Sequence, residues 1–368
     1  MTWNEWAAEK NTITREQGQW RRIRDFDASG VTGTVDGRPV VSFASNDYLG
    51  LSAHPLVVAA ATDALQRWGA GSGSARLIVG SRPIHSALER ELAGWKNCES
   101  AVLFPNGFTT NLGVLTAFGS EETVIFSDEM NHASIVDGCR LAKATVRKFP
   151  HGDVAELDKM LERSARSIIV SDTIFSMDGD AAPVDDLVTV ARRHGALLVL
   201  DEAHAVLGPE PRLARAEVIR VGTLSKFVGS FGGFSAGSKE LIELLVNRAR
   251  PFIFTTASSP ADAGAALAGV ELLRSAEGAA LKKRLRTLID RVRPGHPSPI
   301  LPFVIGDEAA AVSASDRLLE QGLLVPAIRP PSVPPGTARL RVTLSAAHSD
   351  EHVERLLASL QELEVAHA

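Results

Sequence analysis

The sequence predicts an α/β fold, with a helix-covered sheet followed by a smaller α+β domain at the C-terminus. Three observations predict it. Short apolar runs recur at 41–44 (VSFA), 101–104 (AVLF), 123–126 (TVIF), 167–170 (SIIV), 197–200 (LLVL) and 218–221 (VIRV). Amphipathic stretches such as IHSALERELAGW and VDDLVTVARRHG lie between them, and that alternation is the rhythm of a sheet with covering helices. Around 290–302 the composition changes, because RVRPGHPSPILP is proline-rich with little periodicity. The boundaries expected are an N-terminal segment 1–40 that packs with the small domain, a large domain 41–288, and the small domain 289–368. A second Pro-rich loop, IRPPSVPPG, precedes the strand RLRVTLS inside that last domain.

A chain of 368 residues can bury one large core and carry a smaller second domain. Its hydrophobic fraction of 45% and charged fraction of 23% are those of a soluble globular protein. The net charge of −5 offers no basic field for nucleic acid. Cys98 and Cys139 stand in no CxxC or zinc-like spacing, so they are expected to be buried, reduced thiols in a cytoplasmic protein, and no metal site is expected. The N-terminus carries charges where a signal peptide needs an apolar run. No stretch approaches the ~18 apolar residues that would span a membrane.

The chemistry begins in LLVLDEAHAVLG, 197–208, where an apolar strand runs straight into Asp201 and then His204. A carboxylate there sits at the C-terminal edge of the sheet, where α/β proteins place ligands, and its burial calls for a cationic partner. DEAH also occurs in helicases, but the chain has no Gly-Lys pair and hence no phosphate loop of the GxxxxGK[ST] kind. In VIRVGTLSKFVGSFGGFSAG, 218–237, a second apolar run ends in Thr-Leu-Ser-Lys. Desolvation of Lys226 among small residues would lower its pKa and favour the amine that forms imines. Taken alone, such a lysine reads better as a snorkelling surface residue. Asp201 changes that balance. Pyridoxal 5′-phosphate (PLP) needs a carboxylate on its pyridine nitrogen and a lysine for its imine, about one strand–loop–strand unit apart. AVLFPNGFTTNLGVLTAF, 101–118, reads as strand, turn and helix, so Gly107 and Phe108 would offer backbone N–H groups to a phosphate at the positive end of a helix. The Thr223 hydroxyl could add a donor. His132 follows one strand and could stack on a planar ring, and Ser176 follows another.

In this order the blocks SNDYLGL, GSGSARLIVG, NGFTTN, DEMNHASIVDG, FSMDGD, DEAH, GTLSK, FTTASSP and ARLRVTLSAAH span nearly the whole chain. Together they resemble the α-oxoamine synthase family of fold-type I PLP enzymes. The resemblance implies a large, mixed, mostly parallel sheet domain with a smaller α+β domain. It implies Lys226 as the Schiff-base lysine, Asp201 on the pyridine nitrogen, His204 and Ser176 at the ring's phenolic oxygen, and His132 stacked on the ring. Gly107, Phe108 and Thr223 would hold the phosphate. Thr256 would serve the neighbouring subunit, which implies a homodimer with shared sites. Asn46 and Arg341 would bind the amino-acid carboxylate, a task that suits a bidentate guanidinium, and Arg21 and Ser332 would touch substrate. The compact N-terminus and IRPPSVPPGTARLR bring the resemblance closest to members that condense L-alanine with a pimeloyl thioester, carried by CoA or an acyl carrier protein. Three departures bear on substrate contacts. Serine stands at 332 where the family often has threonine, aspartate at 172 where it often has glutamate, and AVLGPEP after His204 is short and low in glycine.

Two other classes compete. Gly233-Phe-Ser235-Ala-Gly237 matches the GxSxG of serine hydrolases, although Ser235 sits in a run that reads as strand. GAGSG at 69–73 follows a helical pattern and not a strand, so the context of a dinucleotide-binding turn is missing.

Overall fold

The computed structural model describes residues 1–161, 166–213 and 215–365. They form two compact units. The larger comprises 45–301 and 343–353, and the smaller comprises 1–44, 302–342 and the segment from Glu354.

The larger unit is built on a seven-stranded sheet. Its order is Ser100–Phe104, Gly233–Gly237, Val218–Thr223, Leu197–Asp201, Ser167–Asp172, Val124–Asp128, Thr145–Phe149. The strands from Val218–Thr223 to Thr145–Phe149 pair in parallel. Gly233–Gly237 runs antiparallel to both neighbours, so the sheet is mixed and mostly parallel. Alternation of side chains explains the uninterrupted apolar runs. Ile168, Val170, Leu197 and Val199 enter one apolar cluster, and Ile169, Leu198 and Leu200 enter another. Helices Gly107–Phe118 and Lys239–Arg248 supply Val114, Leu115, Ile242 and Leu245 to the first. Val154–Leu161 and Val184–His194 supply Leu157, Leu161, Leu187 and Val188 to the second.

Five of the six expected runs lie in this sheet. The first does not. Residues 38–42 form a strand of a separate four-stranded sheet in the smaller unit, ordered Phe26–Asp27, Thr32–Val35, Arg38–Ser42, Leu323–Leu324. The last pair is parallel, with Val41 opposite Leu323 and Ser42 opposite Leu324. A three-stranded sheet is ordered Ile300–Gly306, Ala338–Thr343, Ala327–Ile328. Helix Ala276–Val292 runs without a break through residue 288, where composition placed the end of the large domain. The proline signal marks the irregular segment just beyond that helix.

The N-terminal helix Trp3–Glu16 is closed by a capping box between Thr2 and Glu5 and has no buried residue. Cys139 is buried, and burial pushes its thiol up to about 11. Cys98 is only half-buried, because it lies in the turn between a helix and the first strand of the large sheet. Among the described residues no helix is long and apolar enough to cross a membrane, and no cluster of metal-ligating side chains occurs.

Candidate active site at the carboxyl edge of the large sheet

Strand ends gather the titratable groups. Asp201 closes its strand directly opposite Asp172, which closes the neighbouring one, and both are buried. Asp201 accepts from the backbone N–H of Ala203 at 2.9 Å and from the Asn111 amide at 2.6 Å. Asp172 accepts from the backbone N–H of His132 at 2.7 Å. Burial first, and the Asp201 carboxylate second, drive the Asp172 carboxyl well above the usual range.

Lys226 follows strand Val218–Thr223, and its Nζ lies 2.9 Å from His204 Nε2. His204 Nδ1 in turn lies 2.5 Å from the Tyr48 hydroxyl, and that hydroxyl is also 3.1 Å from Asn46 Oδ1. The expected residues Lys226, His204 and Asn46 are thus joined through a tyrosine that sequence reasoning did not single out.

His132 caps helix Ala133–Leu141 with Nδ1, which accepts from the Ser134 N–H. Its Nδ1 also lies 2.7 Å from Ser134 Oγ, and Ser134 Oγ accepts from Asn111 at 2.9 Å. With Nδ1 an acceptor, the neutral imidazole carries its proton on Nε2. Desolvation lowers the His132 pKa and Lys226 adds to the effect, against the pull of Asp201. Asn111 and Ser134 were also missed. Both lie near the starts of helices whose leading residues had been singled out, but nothing in their own neighbourhood marks either one.

Helix Gly107–Phe118 begins where expected, capped by Asn106, whose Oδ1 accepts from the Thr109 N–H at 2.9 Å. The first helical turn leaves its leading N–H groups outside the intrahelical ladder. Gly107 lies against Thr223, since a Cβ there would stand 3.3 Å from the threonine Cβ. Thr223 Oγ1 is 2.7 Å from Ser225 Oγ, a further hydroxyl not foreseen. Phe108 is exposed and meets the His132 ring edge-on at 6.4 Å.

Ser176 is half-buried in the turn Phe175–Asp180, which is tied by the Gly179 N–H donating to Phe175 O at 2.8 Å. Gly179 is required there, because its φ is +71° and a Cβ would fall 2.0 Å from Ile300 O. The same turn is held by His151, which bridges Asp128 at 3.0 Å and Asp180 at 2.9 Å. Burial alone would lower the His151 pKa, but the two carboxylates outweigh it and hold the pKa up. A raised folded-state pKa stabilises most below the unfolded value of about 6.5 and loses that contribution as pH rises through the folded value. The cofactor-free protein is therefore expected to melt lower at pH 9 than at pH 6. In His151→Gln, thermal melts should show that difference shrink.

Thr256 forms an isolated bridge with Ala75 and lines a small recess with Arg76 and Pro105. Arg341 is buried in the smaller unit's strand Ala338–Thr343. Arg21 and Ser332 are exposed in that unit. Ser235 lies mid-strand, fully buried between Val102 and Val221, with no hydrogen-bond partner for its Oγ among the described residues. A hydrolase nucleophile needs an exposed strand-to-helix turn, so the hydrolase reading fails.

The residues fit PLP. Paired acids at strand ends suit a protonated pyridine nitrogen, and hydroxyls packed on a helix N-terminus suit a phosphate. A lysine amine beside an imidazole suits the imine.

The sequence pattern of the aminotransferase class I and II family matches residues 38–360. An 8-amino-7-oxononanoate synthase of Anaeromyxobacter dehalogenans is 48% identical over 90% of this chain and 88% of its own. A serine palmitoyltransferase from S. paucimobilis, solved with a bound PLP–myriocin aldimine, superposes with a TM-score of 0.90 at 27% identity, covering 98% of this chain and 97% of that one. An 8-amino-7-oxononanoate synthase from Francisella tularensis gives 0.73 at 25% identity, covering 89% and 99%. On this combination of family pattern, relatives and strand-end lysine site, the chain belongs to the aminotransferase class I and II family of fold-type I PLP enzymes and, within it, to the α-oxoamine synthases.

Proposed function

We propose that the protein condenses L-alanine with a pimeloyl thioester to give 8-amino-7-oxononanoate, CO₂ and free thiol, a step of biotin biosynthesis. The observation that carries this reading is the 48% identity to an enzyme of that name over 90% of the chain. A carbon–carbon bond forms between the alanine α-carbon and the acyl carbonyl. The thioester C–S bond and the bond to the alanine carboxylate break, and a proton returns to the α-carbon.

Bound PLP supplies the electron sink for this chemistry. Lys226 would anchor it covalently and would serve as the base that takes the α-proton. Asp201 would pair with the pyridine nitrogen and keep it protonated. His204 and Ser176 would meet the ring's phenolic oxygen, and His132, with its proton on Nε2, would lie against the ring and donate to the acyl carbonyl. Gly107, Phe108 and Thr223 hold the phosphate through helix N–H groups and a hydroxyl. Asn46 holds the alanine carboxylate. The resemblance gives the same task to Arg341 and further substrate contacts to Arg21 and Ser332. Thr256 serves the partner subunit in a cytoplasmic homodimer. The thioester is carried by CoA or by an acyl carrier protein.

Thiol release should be followed with alanine or glycine against pimeloyl, acetyl, succinyl and palmitoyl thioesters. Alanine with the pimeloyl thioester is expected to turn over fastest. Fastest turnover of glycine with acetyl-CoA would overturn the substrate assignment.

A further inference from the structure

We infer that Tyr48 is a positioning residue that links the amine of Lys226 to the substrate-holding amide of Asn46 through His204. The inference rests on the proposed function only for the role of Asn46. Its geometry is a continuous chain of polar atoms. Lys226 Nζ is 2.9 Å from His204 Nε2, His204 Nδ1 is 2.5 Å from the Tyr48 hydroxyl, and that hydroxyl is 3.1 Å from Asn46 Oδ1.

The surroundings hold Tyr48 in place. Its side chain is fully buried. The SNDYLGL segment is locked by Asp47, whose carboxylate accepts from the N–H groups of Leu51 at 2.9 Å and Ser52 at 3.0 Å. Gly50 turns the chain at φ +72°, and the carbonyl of Tyr48 accepts from the Ala346 N–H at 2.8 Å. A hydroxyl fixed this way has two arrangements, which follow from counting donors. When Lys226 is charged it donates to Nε2, so Nδ1–H donates to the Tyr48 oxygen and the Tyr48 O–H turns to Asn46 Oδ1. When Lys226 is neutral, the Tyr48 O–H donates to Nδ1, Nε2–H donates outward to the lysine nitrogen or the cofactor, and Asn46 Oδ1 loses the tyrosine donor. The charge state at Lys226 thereby sets the hydrogen bonding of the amide that meets the carboxylate. Asp172 and His132 both feel the Lys226 charge, and both also feel the Asp201 carboxylate.

Tyr48→Phe removes the hydroxyl and keeps the ring. In the holoenzyme, the pH titration of bound-PLP visible absorbance is expected to move up by about one pH unit. A His204 donor held toward the cofactor favours its deprotonated form, and one unit is a tenfold change in that equilibrium. The dissociation constant for L-alanine, read from the same absorbance, should rise about three- to tenfold, because with alanine bound Lys226 is the neutral amine and the hydrogen bond lost is the one from the Tyr48 O–H to His204 Nδ1. A wild-type titration midpoint together with a wild-type alanine constant would overturn the inference. The midpoint needs no substrate, so it tests Tyr48 even if the wild-type protein proves inactive with alanine and every thioester. That inactivity would defeat the proposed function instead. Should Tyr48→Phe fail to fold, nitrogen NMR of histidine-labelled wild-type holoenzyme decides. A hydrogen-bonded His204 Nδ1 is expected, and a solvent-exposed one would overturn the inference.

Discussion

Lys226→Ala is expected to lower turnover by at least about 10³-fold. A positioned general base contributes about 10²–10⁴-fold, and the same side chain is proposed to tether the cofactor. His204, 2.9 Å away, is engaged with Tyr48 through its other ring nitrogen. Lys226 is only half-buried and follows the strand, outside the apolar clusters, so the fold should survive the change. The decisive measurement pairs thiol release with hydride reduction of the holoenzyme and peptide mapping. Wild type should carry reduced PLP on the peptide containing residue 226, and the variant should carry none. Normal turnover in the variant, or trapping at another lysine, would remove Lys226 from the mechanism.

Glu202→Gln is expected to destabilise the larger unit by about 3–5 kcal/mol, the cost of leaving buried charge without its counter-ion. Glu202 directly follows Asp201 and is buried with Lys96 at 2.7 Å and Arg220 at 2.5 Å. Arg220 continues to the Lys96 carbonyl at 2.7 Å and to Glu210 at 2.6 Å. Desolvation works against the Glu202 carboxylate, but Lys96 and Arg220 prevail and hold its pKa low. The isosteric change keeps the volume and removes only the charge. Urea unfolding followed by tryptophan fluorescence should show an earlier transition, since Trp95 lies 3.8 Å from the Lys96 amine. Adding Lys96→Met should restore part of the loss, because the pair is coupled and one orphaned charge goes with it. An unchanged midpoint in Glu202→Gln would show that the network is energetically neutral.

Much of the sheet was legible because its strands are apolar on both faces. Thr145–Phe149 was not, since an edge strand with four exposed residues carries no such run. Arg38–Ser42 looked like the others locally, and only its pairing with Leu323–Leu324 assigns it to another sheet. In the site, Asp201, His204 and Lys226 were legible because each follows a strand closely in sequence. Tyr48 was not, because its partner lies 156 residues away and nothing local distinguishes it from a core aromatic. Asn111 and Ser134 were hidden for a related reason. Their roles come from helices meeting beside Asp201, and neighbouring residues do not encode such a meeting.

The parallel pairing of Val41 with Leu323 has a consequence for biosynthesis. A chain made from its N-terminus delivers Arg38–Ser42 roughly 280 residues before Leu323–Leu324, a delay of tens of seconds at about 5–20 residues per second. During that interval one side of the early strand has no neighbour, and Val40, Val41 and Phe43, all buried at the end, are open to wrong partners. The nascent protein should need a chaperone's protection most at its beginning. A circular permutant that places residues 302–342 ahead of residue 26 should shorten that vulnerable period and aggregate less during synthesis.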